Sequence, residues 1–273
     1  MKKLLALLLT GMMTLSMVAC GSSKEESANR LESIMAAGKI VICTSPDYAP
    51  YEFEDPTKEG QDKYVGADME LARYIAKELG VELEITAMDF DACIAAVGEA
   101  RVDLGIIGMD ATEDRALIMD FTDEYYNDTA QKMIIRKEDA EKYTTIASFD
   151  ETTTVAAQNG TLQVGLVTGQ TTASLEPIAK ITDGVLMLEG GKIDGLAAAE
   201  VVANSIVEKN DALALVPENF EYSSDGIVCG VPKGEEELVA KLNEIIAEVV
   251  ESGIYYQWME EANVLANSLG VTN

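Results

Sequence analysis

Short apolar runs alternate with amphipathic segments along the first half of the chain, a pattern typical of strands and helices that follow one another. Between Asp68 and Leu79, apolar residues recur every four positions, which predicts an amphipathic helix with Asp68 at its N-cap. Further helices are predicted over Leu31–Ala37 and after Phe90. The predicted strands are Lys39–Thr44, 81–87 and Leu104–Ile107, the last of which turns at Gly108. This order predicts an α/β lobe over residues 38–126.

The second half of the chain continues the same alternation. A helix is predicted to begin near Thr161, after a Gln-Asn-Gly turn, and amphipathic helices are predicted over Glu235–Glu251 and Ile254–Leu269. The predicted strands are Gln131–Arg136, Thr153–Ala157, Val185–Leu188, Asp211–Val216 and Gly226–Val231.

Composition and charge narrow the class of protein. A chain of 273 residues with 48% hydrophobic residues and a mean hydropathy of +0.05 can fold as one large or two modest globular domains. The 48 acidic residues outnumber the 20 basic ones, so nucleic acid and anionic membrane surfaces are poor partners. The chain has no histidine, which excludes histidine-based catalysis and histidine metal ligands. Cys43, Cys93 and Cys229 lie in apolar stretches without metal-site spacing and are predicted core thiols.

The N-terminus has the organisation of a targeting segment. Lys2-Lys3 precede the apolar run Leu4–Leu9 and the cleavage region Met17–Cys20. This resembles a bacterial lipoprotein signal, in which Cys20 becomes the lipidated first residue; a signal peptide with an incidental cysteine is the alternative. We therefore expect a signal peptide over 1–20, a tether over 21–37 that includes a flexible leash, and attachment to the outer face of a membrane through lipid.

The segment 102–126 carries the clearest candidate chemistry. An apolar strand ends there, and Asp110, Ala111 and Thr112 lead into a helix that contains Arg115. Free backbone N–H groups, the positive end of the helix dipole and a planar guanidinium would then meet in one place. The sequence predicts a small anion site, although a solvated helix arginine paired with nearby acids would fit the same residues.

The same segment resembles a known family. The stretch GMDATEDRALIMDFTDEYY, residues 108–126, is similar to the G-M-T-x-T-x-x-R and D-F-[ST]-x-x-Y-Y elements of the amino-acid-binding proteins of ABC importers. The resemblance covers nearly the whole mature chain. It implies a two-lobed periplasmic-binding-protein-like α/β fold with two crossover hinge strands. Lobe 1 would comprise residues 38–127 and 221–273, and lobe 2 residues 128–220.

The resemblance also implies roles for particular residues. Arg115 would hold the α-carboxylate of the ligand together with Thr161 of the second lobe. Tyr48, in an extended loop marked by proline, and Phe90 would enclose the ligand side chain. Each residue has a structural alternative: Tyr48 as a loop anchor, Phe90 as a core anchor for the next helix, and Thr161 as a plain N-cap. The full set of candidate ligand-binding residues is Tyr48, Phe90, Gly108, Asp110, Arg115, Thr161 and Gln163.

The chain departs from the family pattern at two positions. Ala199 stands where the family has an aspartate that holds the α-ammonium of the ligand, with Glu200 one residue further on. Asp110 stands where the family usually has threonine or serine facing the same ammonium. Asp110 is therefore either a relocated acceptor for the amine or an N-cap in a capping box with Glu113.

These observations predict a monomeric binding protein that captures an amino acid and delivers it to an ABC permease, without a cofactor. Affinity would come from charge-assisted hydrogen bonds in a cleft that closes and excludes water. The alternatives are a binder of an amine-free carboxylic acid, a ligand sensor, and a dehydratase on the same fold. The sequence shows no nucleophile–base pair, and it does not fix which ligand side chain is selected.

Overall fold

The structure is a computed structural model that describes residues 29–127 and 130–270. The predicted signal peptide, Cys20 and the leash lie outside the described residues. The prediction of lipidation therefore stays a prediction.

The first sheet has the strand order β5-β1-β6-β13-β7. Its strands are β1 (Lys39–Thr44), β5 (Glu82–Ala87), β6 (Leu104–Asp110), β7 (Met119–Phe121) and β13 (Ile227–Pro232). Strand β1 pairs in parallel with β5 and β6, whereas β13 runs antiparallel to β6 and β7. A small second sheet beside it contains β2 (Asp47–Tyr48), β3 (Glu52–Glu54) and β4 (Tyr64–Val65).

Six helices belong to this lobe in the described part of the chain. They are α1 (Arg30–Ala37), α2 (Ala67–Leu79), α3 (Phe90–Gly98), α4 (Glu113–Ala116), α8 (Glu236–Ser252) and α9 (Ile254–Leu269). The predicted apolar face of α2 is buried, because Leu71, Ile75 and Leu79 all belong to the core. Helix α1 occupies the end of the predicted tether and buries Ile34 in the same core.

The other sheet has the strand order β10-β9-β11-β8-β12. Its strands are β8 (Gln131–Arg136), β9 (Thr154–Gln158), β10 (Ser174–Ile178), β11 (Gly195–Ala199) and β12 (Leu213–Leu215), and its helices are α5 (Leu162–Gln170), α6 (Ile181–Glu189) and α7 (Glu200–Lys209). Strands β9, β10 and β11 are parallel, and β8 runs antiparallel to β11 and β12.

The chain passes between the two sheets twice. It leaves the first sheet after β7 and enters the second at β8, and it returns from β12 to β13. Tyr126 and Ile227 form an antiparallel bridge, so the two connections lie side by side. The predicted fold class, a two-lobed α/β fold, is confirmed.

One predicted strand is wrong. Val185–Leu188 lies inside helix α6, where Ile181, Gly184, Val185 and Leu188 are buried at helical spacing. Read as four residues alone, the run is too short to distinguish a strand from a buried helix. The neighbouring strand β10 was not predicted, because it is largely exposed and contains Pro177 instead of an apolar alternation.

Three local predictions in the first lobe are also corrected. Gly66, and not Asp68, is the N-cap of α2, and Asp68 is fully buried. Strand β6 does not turn at Gly108 but continues to Asp110, although Gly108 has a φ of +55°. The segment around Tyr48 is not only an extended loop, because it forms β2 of the small sheet.

The cysteine prediction is confirmed, since Cys43, Cys93 and Cys229 are free and buried. Within residues 29–127 and 130–270, no helix has the length and apolarity needed to span a membrane. The same residues contain no cluster of acidic and cysteine side chains that could hold a metal ion.

Candidate functional site

A cavity between the lobes brings all seven candidate residues together. Lobe 1 contributes Tyr48, Phe90, Gly108, Asp110 and Arg115, and lobe 2 contributes Thr161 and Gln163. The remaining lining residues are Met109, Gln131, Gln158, Leu162, Ala199 and Ile227. The cavity is therefore walled by the carboxyl end of β6, the start of α3 and the start of α5, where strand ends and helix starts meet.

Arg115 is the cation of this cavity. The residue is 6% exposed, and its guanidinium carbon lies 5.2 Å from the centroid of the Phe90 ring. Nη1 donates to the main-chain oxygen of Asp110 at 2.7 Å, and Nη2 donates to that of Gly160 in lobe 2 at 3.1 Å. Burial lowers the pKa of Arg115, and the negative charge of Asp110 opposes this shift. The guanidinium has five N–H donors, so others remain for a carboxylate.

The predicted contribution of a helix dipole is small. Helix α4 has only four residues, and Thr112 is its N-cap, accepting a hydrogen bond from the Arg115 backbone N–H at 3.3 Å. A single turn aligns few peptide dipoles. The capacity to bind an anion therefore rests on the Arg115 side chain.

Asp110 is the anion of the cavity, and it does not cap α4. It ends β6, and its Oδ1 accepts hydrogen bonds from Tyr222 Oη at 3.1 Å and from Ser224 Oγ. Burial raises the pKa of Asp110, while the two hydroxyl donors and Arg115 act in the opposite direction. The capping-box alternative is wrong, because Thr112 occupies the N-cap position. Tyr222 and Ser224 belong to the second connection between the lobes, and no sequence motif marked them.

The two predicted aromatic residues differ in their surroundings. Tyr48 lines the cavity, stacks on Tyr51 at 6.1 Å, and accepts a hydrogen bond from the Ala199 backbone N–H at 3.0 Å. Tyr51 is fully buried and is the residue that anchors the loop. Phe90 is the first residue of α3 and is both a core residue and a wall of the cavity, so its two predicted roles coexist.

The start of α5 supplies the lobe 2 side of the cavity. Thr161 is the N-cap by position, but its Oγ1 donates to the Gln158 main-chain oxygen at 2.7 Å and does not cap the helix. Gly160 has a φ of +74° and brings its carbonyl to Arg115. Gln163 donates through Nε2 to Gln131 Oε1 at 2.6 Å, and this second glutamine was not a sequence-based candidate.

In lobe 2, neither Ala199 nor the neighbouring Glu200 gives the cavity a carboxylate. Ala199 lines the cavity with a methyl group. The Glu200 side chain forms an ion pair with Lys132 at 3.1 Å and is 39% exposed. A shift of one residue at the end of β11 therefore turns the acid away from the cavity.

The lobes contact each other in a closed arrangement. Asp47 of β2 accepts hydrogen bonds from the Ile181 backbone N–H at 2.8 Å and from Gln158 Nε2 at 3.2 Å, both in lobe 2. Ser45 Oγ donates to the same carboxylate from lobe 1 at 2.9 Å. A second, more open groove borders this contact and carries Asp47, Glu54, Asp89 and Lys180.

The sequence profile of the bacterial extracellular solute-binding proteins, family 3, matches residues 40–262. The chain belongs to this family. Membership of the solute-binding family confirms the predicted class of protein and places it outside the cytoplasm.

Several relatives of this solute-binding protein have assigned ligands. It is 32% identical over 259 residues, 93% of this chain and 94% of the relative, to the arginine-binding extracellular protein ArtP of Bacillus subtilis. The structure is similar to an amino acid ABC transporter substrate-binding protein of Streptococcus pneumoniae bound to L-arginine. The sequence identity is 34% and the TM-score is 0.80, and the match covers 86% of this chain and 97% of that protein.

A further similar structure connects the family to an enzyme. It is the ancestral amino acid-binding protein AncCDT-1, a precursor of cyclohexadienyl dehydratase. The sequence identity is 25% and the TM-score is 0.77, and the match covers 85% of this chain and 98% of that protein. The family and the similar structures are nevertheless mainly transport binding proteins.

Proposed function

We propose that this protein captures an α-amino acid between its lobes for an ABC importer. Arg115 binds the α-carboxylate from lobe 1, Thr161 binds it from lobe 2 once its hydroxyl turns away from the Gln158 main-chain oxygen, and Asp110 binds the α-ammonium. The observation that carries the proposal is that a buried guanidinium and a buried carboxylate line the same closed cavity. Within the described residues, these are the only charged side chains in its wall. One cation and one anion match the two ends of a zwitterion.

The surroundings of Asp110 favour recognition of the amine. Tyr222 and Ser224 both donate to Oδ1, which fixes the carboxylate in the cavity wall. An α-ammonium buried in the cavity requires an acceptor, and Ala199 offers none. Asp110, in lobe 1, takes the place of the acceptor that lobe 2 lacks at Ala199. The site for the amine therefore exists before the lobes close.

The test compares an amino acid with its amine-free analogue by calorimetric titration of wild type, Arg115→Met and Asp110→Ser. Arg115→Met should lose affinity for both ligands by about 2–5 kcal/mol, because their common carboxylate loses its buried partner. Asp110→Ser should weaken binding of the amino acid by a similar amount and leave the affinity for the amine-free analogue nearly unchanged. Asp110→Ser with Ala199→Asp should recover part of the amino-acid affinity, since the acceptor returns from lobe 2.

Two results would count against this assignment. Tighter binding of the amine-free analogue by wild type would move the ligand class to carboxylic acids without an α-amine. Retention of affinity within a few-fold in Arg115→Met would show that the carboxylate is held elsewhere.

We extend the proposal to the assembly, the membrane anchoring and the chemistry of this protein. The protein is a monomer in which lobe 1 comprises residues 38–127 and 221–273 and lobe 2 comprises residues 128–220. It is tethered to the membrane through lipid at Cys20 and docks on an ABC permease. It performs no covalent chemistry, because binding and release of a zwitterion need only the groups described above. Metabolic labelling with a fatty acid, compared between wild type and Cys20→Ala, tests the tether.

A further inference from the structure

Arg115 and Asp110 bind the groups that all α-amino acids share, so they do not determine which ligand side chain is selected. Gln131 and Gln163 lie on the lobe 2 side of the same cavity, 1% and 6% exposed. Gln131 is the first residue of β8, immediately after the first connection between the lobes, and Gln163 is the second residue of α5. Their amides are joined by a hydrogen bond of 2.6 Å. The two elements therefore present one paired amide surface.

The pair uses only part of its hydrogen-bonding capacity. A primary amide has two N–H donors and a carbonyl that accepts. The bond between the pair uses one donor of Gln163 and the carbonyl of Gln131. The NH₂ group of Gln131 and the carbonyl of Gln163 make no hydrogen bond within the described part of the chain. Rotating both amides exchanges these roles but still leaves one NH₂ group and one carbonyl, so the conclusion does not depend on the orientation.

The charges of the cavity restrict what this surface can receive. Arg115 and Asp110 are matched by the carboxylate and ammonium of the ligand, so no charged side chain of the described lining remains for a third charge. A third charge in the closed cavity would be buried without a partner, which is costly. Building on the proposed function, we infer that the Gln131–Gln163 pair receives the ligand side chain and selects an uncharged, hydrogen-bonding one, such as a carboxamide.

A rival site for a cationic side chain exists in the bordering groove. Asp47, Glu54 and Asp89 are acidic, and ligands of two relatives are arginine. However, Asp47 already accepts hydrogen bonds from Ile181 and Gln158, and Glu54 is paired with Lys63 at 2.8 Å. Lys180 adds a positive charge to the same groove. The groove is thus less able to attract a cation than its acid count indicates.

The experiment is a calorimetric titration with four amino acids of similar length: glutamine, methionine, glutamate and lysine, with arginine as a fifth ligand. Wild type should bind glutamine at least about tenfold more tightly than the three charged ligands and more tightly than methionine, since each good polar contact is worth about a factor of ten. The variant Gln163→Glu places a carboxylate on the same surface. It should shift the lysine-to-glutamine preference toward lysine by at least about tenfold.

The matched control is Gln257→Glu, which adds the same charge to an exposed position of α9 and should leave the ranking unchanged. If Gln163→Glu does not fold, Gln131→Glu tests the same surface from β8. If arginine or lysine binds most tightly to wild type, the inference is overturned while the proposed function stands. The affinity of Asp47→Asn for these two ligands then shows whether Asp47 of the groove binds the cationic side chain. Preference for methionine, or no shift in the glutamate variants, also overturns it. Binding of amine-free acids alone overturns the proposed function as well.

Discussion

A buried acidic network supports the ligand site from within lobe 1. Asp68 accepts hydrogen bonds from Tyr125 Oη at 2.9 Å and Tyr255 Oη at 2.6 Å on Oδ1, and from the Gly108 backbone N–H at 2.7 Å on Oδ2. It therefore ties the cavity wall at Gly108 to the start of the first connection and to α9. Glu52 lies next to it, fully buried, and accepts no hydrogen bond from a protein N–H or O–H group among the described residues.

Burial disfavours ionisation of both acids at once. Burial raises the pKa of Glu52 well above its usual value of 4.5, and the negative charge of Asp68 adds to the shift. Burial also raises the pKa of Asp68, against which the tyrosine hydroxyls and the Gly108 N–H act. A protonated Glu52 can donate to Asp68, which satisfies both carboxyls in a place that water does not reach.

We expect Glu52→Gln to change how stability depends on pH. Below about pH 4.5 Glu52 is protonated in both states, but above it the unfolded chain releases a proton that the folded chain keeps. Wild type should therefore lose stability as pH rises, by up to about 1.4 kcal/mol per unit, until the raised pKa of the folded state is reached. Glutamine mimics the protonated acid and removes this loss.

Urea unfolding at pH 5, 6.5 and 8 measures the difference between Glu52→Gln and wild type, which should grow with pH in favour of the variant. Glu54→Gln, two residues away but on the surface and paired with Lys63, serves as the control and should give no such growth. A difference that is constant across these pH values would show that Glu52 is ionised in the folded protein.

At the residue scale, the sequence predicted the parts of the site that lie in one motif and missed those that depend on folding. Arg115 and Asp110 could be named because they are close together in the chain. The sequence around Asp68 predicts a helix cap, because its local pattern fits a cap and its three partners are 40 or more residues away. Gln131 was missed for the same reason, because only folding brings it to Gln163.

At the element scale, the turn before α5 brings the two lobes into close approach. Gly160 has a φ of +74°, and a Cβ atom there would lie 3.0 Å from the Cβ of Asp91 on α3. Asp91 belongs to lobe 1, so this approach exists only when the lobes are closed. The glycine thus serves two needs, a left-handed backbone conformation and room for α3.

The two needs can be separated by a pair of alanine variants. Gly160→Ala and Gly191→Ala both place a side chain at positive φ, but nothing lies within 4 Å of the added Cβ at Gly191. Both should lower the free energy of unfolding without ligand by about 1–2 kcal/mol from backbone strain. Only Gly160→Ala should also weaken ligand affinity, because closure then forces the new methyl against α3. Equal affinity of the two variants would mean that α3 and the turn separate in the bound state.

The predictability of the elements follows from their burial. Helices with one buried face, such as α2 and α9, were found nearly to the residue, because the core imposes a period on their sequence. The sequence pattern does not predict strand β10, because an exposed edge strand needs no apolar alternation. The misread Val185–Leu188 shows the converse error, since a short apolar run fits a strand or a helix equally well until its neighbours are counted.

At the scale of the whole molecule, closure is stabilised by protein contacts as well as by ligand. Asp47 of lobe 1 accepts hydrogen bonds from Ile181 and Gln158 of lobe 2, and Tyr48 accepts one from Ala199. Burial raises the pKa of Asp47, while the hydrogen bonds from Ile181, Ser45 and Gln158 oppose the shift, so the ionised carboxylate depends on these partners. Two lobes joined by two connections can open only by breaking such contacts.

Asp47 should therefore set the balance between open and closed forms. In Asp47→Ala, the ligand-free protein should have a larger radius of gyration by X-ray scattering than wild type, and the two should coincide at saturating ligand. Affinity should fall by about 2 kcal/mol, roughly thirtyfold, and by the same factor for every ligand, because the contact stabilises closure and not a particular side chain.

The control for this experiment is Asp55→Ala, which removes a buried carboxylate whose hydrogen bonds to Thr57 lie within lobe 1. It should lower stability without changing the scattering of the ligand-free protein. A loss of affinity confined to cationic ligands in Asp47→Ala would make Asp47 a ligand contact instead of a closure contact. Identical scattering of wild type and Asp47→Ala, with unchanged affinity, would show that the hinge and the ligand alone determine closure.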